Sequence, residues 1–437
     1  MKLQIFQSYQ GDCLLVEARS GHRMLCDGGT AAAMKTFVAP ALERLHRNGH
    51  ALDLVYVSHI DDDHIGGVLA LLEAALDWRV YDYHAANGDA PREPEAPRVP
   101  EIRGLWHNAF HDQIGANTGA IRNLLAASAR ALRASHVDML EQLGYEYARI
   151  ATSVSQALRV SRLLKPDLHG IPLNRLEASP AHGGKLLMAR AGMAPEALGS
   201  LRLHILSPTQ AELGKLREGW NNWLRDPANR LKAIAIRERY LAGVQAITAG
   251  QAMNPFDLHD WEGIAAYEGV TTPNVASLVL LVEEDGKTLL LTGDSHPDMI
   301  LRGLEDGGHL HDGAIHVDVL KVQHHGSENN MTEAFGRAVS ADHYIFCGNG
   351  AHTNPELSVL DAFLAARVGA PALRARAARA RDRPFTFWFN TTPEAQTARA
   401  NIEHMTRVRA WAEARLERYQ PLLKVRFVDK ASASLTV

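Results

Sequence analysis

Polar and apolar positions alternate at the start of the chain. Lys2-Leu3-Gln4-Ile5-Phe6 has the period of two expected of a half-buried strand, and Gly11-Asp12 marks a turn. Cys13–Glu17 and Arg23–Cys26 are further short apolar runs, closed by Asp27-Gly28-Gly29. Residues 31–47 have helical spacing, and Leu54-Val55-Tyr56-Val57-Ser58 predicts a strand buried on both faces. After it, Ile65, Val68, Leu69, Leu72 and Leu76 fall on one helical stripe. Pro91, Pro94, Pro97 and Pro100 predict a linker over about 81–100, followed by Ala-, Leu- and Arg-rich helical sequence to about Leu164. Leu201–Leu206 alternates as a strand, and residues 210–245 read as helical. Leu278–Val282 predicts a buried strand, Asp285-Gly286 a hairpin turn, and Leu289-Leu290-Leu291-Thr292 a return strand ending at Gly293-Asp294. Val317–Val322 is another strand, ending at Gln323-His324-His325-Gly326-Ser327. The remainder predicts a helix over 355–367, a strand at Phe385–Phe389, a helix over 394–419 and a strand at Leu423–Val428.

Strands that alternate with helices predict an α/β fold. The pattern divides into a first half of the core over 1–80 and a mainly helical insertion over 81–200. A second half of the core spans 201–365, with a helical excursion at about 210–260, and a C-terminal β/α extension over 366–437 is expected to pack on it. The net charge of −4 excludes a wholly basic nucleic-acid coat, though not a local groove. No run approaches the ~18 apolar residues of a membrane span. Met1–Gln7 is interrupted by polar residues, unlike a secretory leader. Cys13, Cys26 and Cys347 form no CxxC pair, and their odd number suits a reducing cytoplasm.

The 22 histidines change the picture, because several stand beside aspartates where a predicted strand ends. His59, Asp61, Asp63 and His64 follow one strand, Asp294 a second, and His324 and His325 a third. A strand end followed by a tight loop holds short side chains at fixed angles, as a preorganised metal site requires. One His–Asp pair alone is more often a turn or a cap, and Asp63 taken singly suits the helix that follows it. The joint pattern is not explained that way. Imidazole with carboxylate suits Zn, Mn or Fe, and this many ligands exceed what one tetrahedral ion uses. Two ions ~3.5–4 Å apart need a bridging group, and Asp294, alone at its strand end, fits that role.

Ser58-His59-Ile60-Asp61-Asp62-Asp63-His64-Ile65-Gly66-Gly67 resembles the HxHxDH signature of the metallo-β-lactamase superfamily, with Asp61 in place of the second His. Gln10-Gly11-Asp12, Asp27-Gly28-Gly29, Asn274 with Ser277-Leu278-Val279-Leu280, Leu291-Thr292-Gly293-Asp294 and Leu320-Lys321-Val322 with His324-His325-Gly326-Ser327 follow in order. Together these motifs are similar to the metallo-β-lactamase domain of ComEC-type DNA-uptake proteins. Ala351-His352-Thr353-Asn354-Pro355-Glu356 resembles a further segment of that group. The resemblance covers about 1–80 and 200–365 and leaves out the helical middle.

That resemblance implies a four-layer αββα sandwich with two divalent ions, Zn2+ or Mn2+, at one edge between the sheets. His59 and Asp61 would serve the first ion and Asp63 and His64 the second, with Asp294 shared and one of His324 and His325 completing the second. Asn274 stands where the family usually has a third-motif His; His182 invites a reading as the missing ligand, but it is far from Asp294 and inside the insertion, which favours a structural histidine. Asp61 in place of a His shifts the site towards oxygen-preferring Mn. Two such ions lower the pKa of a shared water and offset charge developing on a phosphoryl or carbonyl oxygen. The expected catalytic residues are Asp61 and Asp63, for the attacking water's proton, and His325 and His352, for a leaving group or anionic oxygens. Asn274, Ser327 and His352 are the expected substrate contacts.

The function expected is a metal-dependent phosphodiesterase or nuclease, acting on nucleic acid or another phosphodiester. The competing readings are a hydrolase of a small ester, lactone, thioester or β-lactam, and a metal-binding sensor whose insertion docks a protein partner. Arg374, Arg376, Arg379, Arg381 and Arg383 form a basic run that reads as a solvated helix face, with a phosphate-tracking strip as its alternative.

Overall fold

The computed structural model describes residues 1–89, 91–108, 129, 133, 138–175, 186–214 and 277–437. The first sheet contains β1 (Lys2–Phe6), β2 (Leu14–Glu17), β3 (Arg23–Cys26), β4 (Leu54–Tyr56) and β5 (Leu105–Trp106) in chain order. The second contains β6 (Glu196–Leu198), β7 (Leu201–Ser207), β8 (Val279–Glu284), β9 (Lys287–Leu291), β10 (Ile315–Lys321), β11 (Val339–Phe346), β12 (Phe385–Phe389) and β13 (Leu423–Phe427). Its spatial order runs from β13 at one edge down to β6 at the other. A last strand, β14 (Ser432–Thr436), returns to the first sheet and pairs antiparallel with β1.

The period of two along each strand builds three apolar layers. Leu3, Ile5, Leu14, Val16, Leu280, Val282, Leu289 and Val319 meet between the sheets. The alternate residues Leu15, Leu25 and Val55 face outward onto Leu42, Ile65, Val68 and Leu72. On the other side Leu281, Leu290, Val317 and Leu320 face Leu304, Phe363, Val408 and Trp411. Burial on both faces explains why β4 and β8 read as continuous apolar runs. The result is a four-layer αββα sandwich. No helix among the described residues is long and apolar enough to cross a membrane.

The helices are α1, continuous through Ala31–Ala33, Met34–Val38 and Ala39–Arg47, then α2 (Asp62–Ala86) and α3 (Asp138–Leu163). After them come α4 (Pro297–Asp306), α5 (Glu333–Ala338), α6 (Leu357–Val368) and α7 (Arg399–Tyr419). The linker expected from Tyr81 begins later, because α2 runs on to Ala86. No proline interrupts it there, and the linker folds back instead: Trp78 Nε1 donates to Ala96 O at 2.8 Å, and Arg98 lies over the Trp78 ring. Within the insertion, β5 joins the first sheet and β6 the second, so that stretch is not helical throughout, and α3 packs along α2. Gln156 of α3 reaches Asp62, and His169, just beyond α3, places Nε2 2.8 Å from Leu72 O. Residues 366–437 are woven into both sheets, with β12 parallel to β11 and β14 closing the edge beside β1.

The basic run is a correction. Residues Pro371–Leu373 and Ala378–Ala380 form single 3₁₀ turns, so no helix face exists there. Arg376 donates to Gly313 O, Arg379 to Asp318 and Arg383 to Asp342. These guanidiniums tie the loop to β10, to β11 and to the turn before β10, and are spent there.

Candidate metal centre

Parallel pairing sends the chemistry to one edge. β3 runs parallel to β4, and β9 parallel to β10, and the contacts of His59 and His64 with Asp294 bring the C-terminal ends of both pairs to one rim of the sandwich. Asp27 follows β3, His59 follows β4, Asp294 follows β9, and His324 and His325 follow β10. Asp61 is the N-cap of α2, with Asp63 and His64 in its first turn. Asp63 does not cap that helix with its side chain; its Oδ2 lies 3.1 Å from His325 Nε2.

Two glycine pairs let these loops interlock. Gly28 N donates to His64 O at 2.9 Å and Gly67 N to Gly29 O at 2.8 Å. A Cβ on Gly67 would stand 2.0 Å from Gly28 O, so only glycine permits this approach. Across the rim, His324 N donates to Gly293 O at 3.1 Å. His324 and His325 hold positive φ angles of 46° and 56°, a strained turn that aims both rings at Asp294.

Asp294 lies at the middle. His59, His324 and His325 place Nε2 at 3.6, 3.7 and 3.6 Å from its Oδ2, while His64 Nε2 is 3.4 Å from its Oδ1. His59 Nε2 also lies 3.8 Å from Asp61 Oδ2. The residues read from sequence as ligands, His59, Asp61, Asp63, His64, Asp294, His324 and His325, therefore converge. His325 is buried, whereas the His324 side chain is 24% exposed at the rim.

Ser327 is buried at the end of the His-His-Gly turn, its N–H on His324 O at 2.9 Å. His352 is exposed, on a loop bound to that turn by Glu356 N and Gly326 O at 3.0 Å. Asn274 and His182 lie outside the described residues.

Three residues seen in the motifs but given no role belong to the floor of the centre. Asp27 accepts from Ser58 N and Ser58 Oγ at 2.7 Å each, and its Oδ2 is 3.0 Å from His64 Nδ1. Asp12 Oδ1 lies 3.3 Å from His325 Nδ1, and Asp12 Oδ2 pairs with Lys321. One oxygen or nitrogen from each of Asp12, His64, Asp294 and His325 falls within 4.8 Å of the others, all buried.

Electrostatics separate the histidines. Burial pushes His59 down to about 3, with His64 adding to the effect, so this ring is neutral. Burial also acts against charge on His325, but Asp294, Asp12 and Asp63 outweigh it and raise its pKa to about 9. His64 is raised in the same way, against burial, by Asp294, Asp12 and Asp27. Burial would raise Asp12, yet Lys321, His64 and His325 bring it down to about 2. Asp294 and Asp63 are likewise held low against their burial, chiefly by His325.

Whether a cation fits can be judged from the donors. Among the described residues His59 Nε2, His64 Nε2 and Asp294 Oδ1 are buried with no hydrogen-bond partner. Buried polar atoms are rarely left so. Three such atoms facing one another, from two imidazoles and a carboxylate, are what a divalent ion of the Zn or Mn type requires.

Residues 8–116 match the family model of the Metallo-beta-lactamase superfamily, a stretch that includes Asp12, Asp27 and the Ser58–Gly67 motif. No curated protein matches the chain. Among solved structures the chain is similar to Zn2+-bound PqqB from Methylobacterium extorquens, with 10% identity and a TM-score of 0.32 over 100% of each chain.

Proposed function

We propose that this protein is a metal-dependent hydrolase that cleaves phosphodiester bonds, in nucleic acid or a smaller substrate, with two divalent ions, Zn2+ or Mn2+. The observation that carries the metal-dependent part is the convergence of the unpartnered His59 Nε2, His64 Nε2 and Asp294 Oδ1, with both histidines inside the stretch that matches the family model. His59, Asp61, Asp63, His64, Asp294 and His325 would hold the ions, with Asp294 shared. Bound there, such ions supply a water acidified towards neutral pKa and positive charge opposite a developing anion.

The protein's own groups do the rest. Asp27 and Asp12 engage the Nδ1 atoms of His64 and His325, which turns each Nε2 inward. One carboxylate of Asp61 and Asp63 takes the attacking water's proton. His324 has Nδ1 on Asn330 Oδ1 at 2.6 Å, so its partly exposed ring is fixed with Nε2 at the rim. In its protonated form that ring donates to an anionic oxygen. Ser327 and His352 stand on the adjoining turn and loop. Imidazoles and a hydroxyl suit a tetrahedral phosphate better than a flat amide, and the motif order resembling ComEC-type domains supports the same substrate class. The three cysteines are unpaired and buried, in keeping with a reducing compartment such as the cytoplasm.

The test is elemental analysis of chelator-free protein, with hydrolysis of bis-p-nitrophenyl phosphate, single- and double-stranded DNA, RNA, nitrocefin and a lactone, in Zn2+ and in Mn2+. Phosphodiester turnover is expected, with Asp294→Ala lowering metal content. Brisk turnover of nitrocefin or the lactone with every phosphodiester intact overturns the substrate class. Protein that takes up no metal overturns the reading altogether.

A further inference from the structure

We infer that Lys321 is a built-in cation that holds Asp12 out of the metal's coordination shell and so makes Asp12 a tether for histidine. Resting on the metal-centre reading above, the inference begins from the place of Lys321 in the fold. It is the last residue of β10, with 2% of its side chain exposed, and it extends beneath the ligand cluster. Its ammonium pairs with Asp12 Oδ2, donates to Gly293 O at 3.1 Å and lies 3.8 Å from Asp294 Oδ1. Thr292 Oγ1 fixes the backbone at the same point, donating to Lys321 O at 2.7 Å.

Asp12 has the chemistry and the position of a ligand. Its carboxylate lies within 4.8 Å of ligand atoms of His64, Asp294 and His325, and it is fully buried among them. A buried carboxylate needs a cation, and it would turn to a divalent ion if nothing nearer were offered. Lys321 is nearer and cannot leave, since its strand is inside the second sheet. With one oxygen engaged by the ammonium, Asp12 presents the other to His325 Nδ1 at 3.3 Å. Lys321 is thus a positioning residue that acts on the metal-facing nitrogen of His325 through Asp12.

The experiment measures ions per chain by elemental analysis and affinity by chelator competition with Zn2+, on wild type, Lys321→Met, Lys321→Arg and the double variant Asp12→Asn/Lys321→Met. Lys321→Met is expected to bind one ion more per chain, or to bind Zn2+ roughly tenfold more tightly, the scale on which groups around a metal site act. Lys321→Arg keeps the charge and should behave as wild type. The double variant, with no carboxylate to release and none on His325 Nδ1, should return to the wild-type ion count and bind Zn2+ no more tightly than wild type. A Lys321→Met protein with unchanged or weaker binding, in a chain whose wild type binds Zn2+, overturns the role of Lys321 alone. A wild type that binds no divalent ion overturns the metal-centre reading instead. Should Lys321→Met fail to fold, folding restored by the double variant supports action through Asp12, and a double variant equally unfolded overturns it.

Discussion

His64 Nδ1 lies 3.0 Å from Asp27 Oδ2, while Nε2 of the same ring faces Asp294 Oδ1 at 3.4 Å. One carboxylate therefore fixes which nitrogen of the ring meets the centre. Asp27→Asn keeps the shape and removes the charge. It is expected to weaken Zn2+ binding by roughly 10–100-fold while the far-ultraviolet circular dichroism stays unchanged. Chelator competition measures this, and wild-type affinity in the variant contradicts it.

The two adjacent histidines should not be equivalent. His325 is buried between Asp12, Asp63 and Asp294, whereas His324 is partly exposed and anchored on Asn330. His325→Ala should lower the number of ions bound per chain. His324→Ala should leave metal content close to wild type and reduce phosphodiester turnover, by roughly 10²–10³ if it serves as an anion-stabilising donor. Equal metal loss in both variants would contradict the assignment.

The pH dependence follows from His325, whose pKa in the metal-free fold is raised to about 9 from the ordinary 6.5. A raised pKa stabilises the fold below the unfolded value and loses that contribution as pH climbs through the folded one. Metal-free protein should therefore lose stability between about pH 6.5 and 9. Since an ion must displace this proton, apparent Zn2+ affinity should rise through the same window, with protons released on binding. Denaturant titrations and pH-stat measurements test both, and an affinity flat from pH 7 to 9 would count against the scheme.

Gly67→Ala places a Cβ 2.0 Å from Gly28 O, between two loops that each carry a centre residue. Overpacking of this kind costs about 1–3 kcal/mol, and the displaced loops should lower metal affinity as well. Gly214→Ala, where an added Cβ meets nothing within 4 Å among the described residues, serves as the control and should be near neutral. Urea denaturation of both variants decides it.

The strands that position the site were legible because their burial leaves nearly continuous apolar sequence, as in β4 and β8. The candidate ligands were legible because each group follows closely on a strand. β11 was not, since Asp342 and His343 break its pattern; the structure shows Asp342 spent on His316 and Arg383, and His343 on Trp388. β5 and β6 are too short to carry a period. Asp12, Asp27 and Lys321 stood in the motifs without a role, because what they do depends on partners brought by other strands. No local pattern around Lys321 announces that Asp12 will lie beside it. α3 lies along α2, with Gln156 on Asp62 in the turn that also carries Asp63 and His64, a contact that no pattern in the insertion foretells.

The pairing of β1 with β14 joins Lys2 to Thr436, so β1 acquires its second neighbour only after all the intervening chain has been made. Until then β1 presents a row of unsatisfied amides and carbonyls to solvent, an invitation to pair with another chain. Contacts this distant along the sequence also form slowly. The strand leads straight into the loop that bears Asp12, so the vulnerability of the nascent protein and the floor of the candidate metal centre share one stretch of backbone. Chaperone dependence during synthesis, and aggregation of chains cut short before Ser432, are the biological corollary of a sheet closed by its own tail.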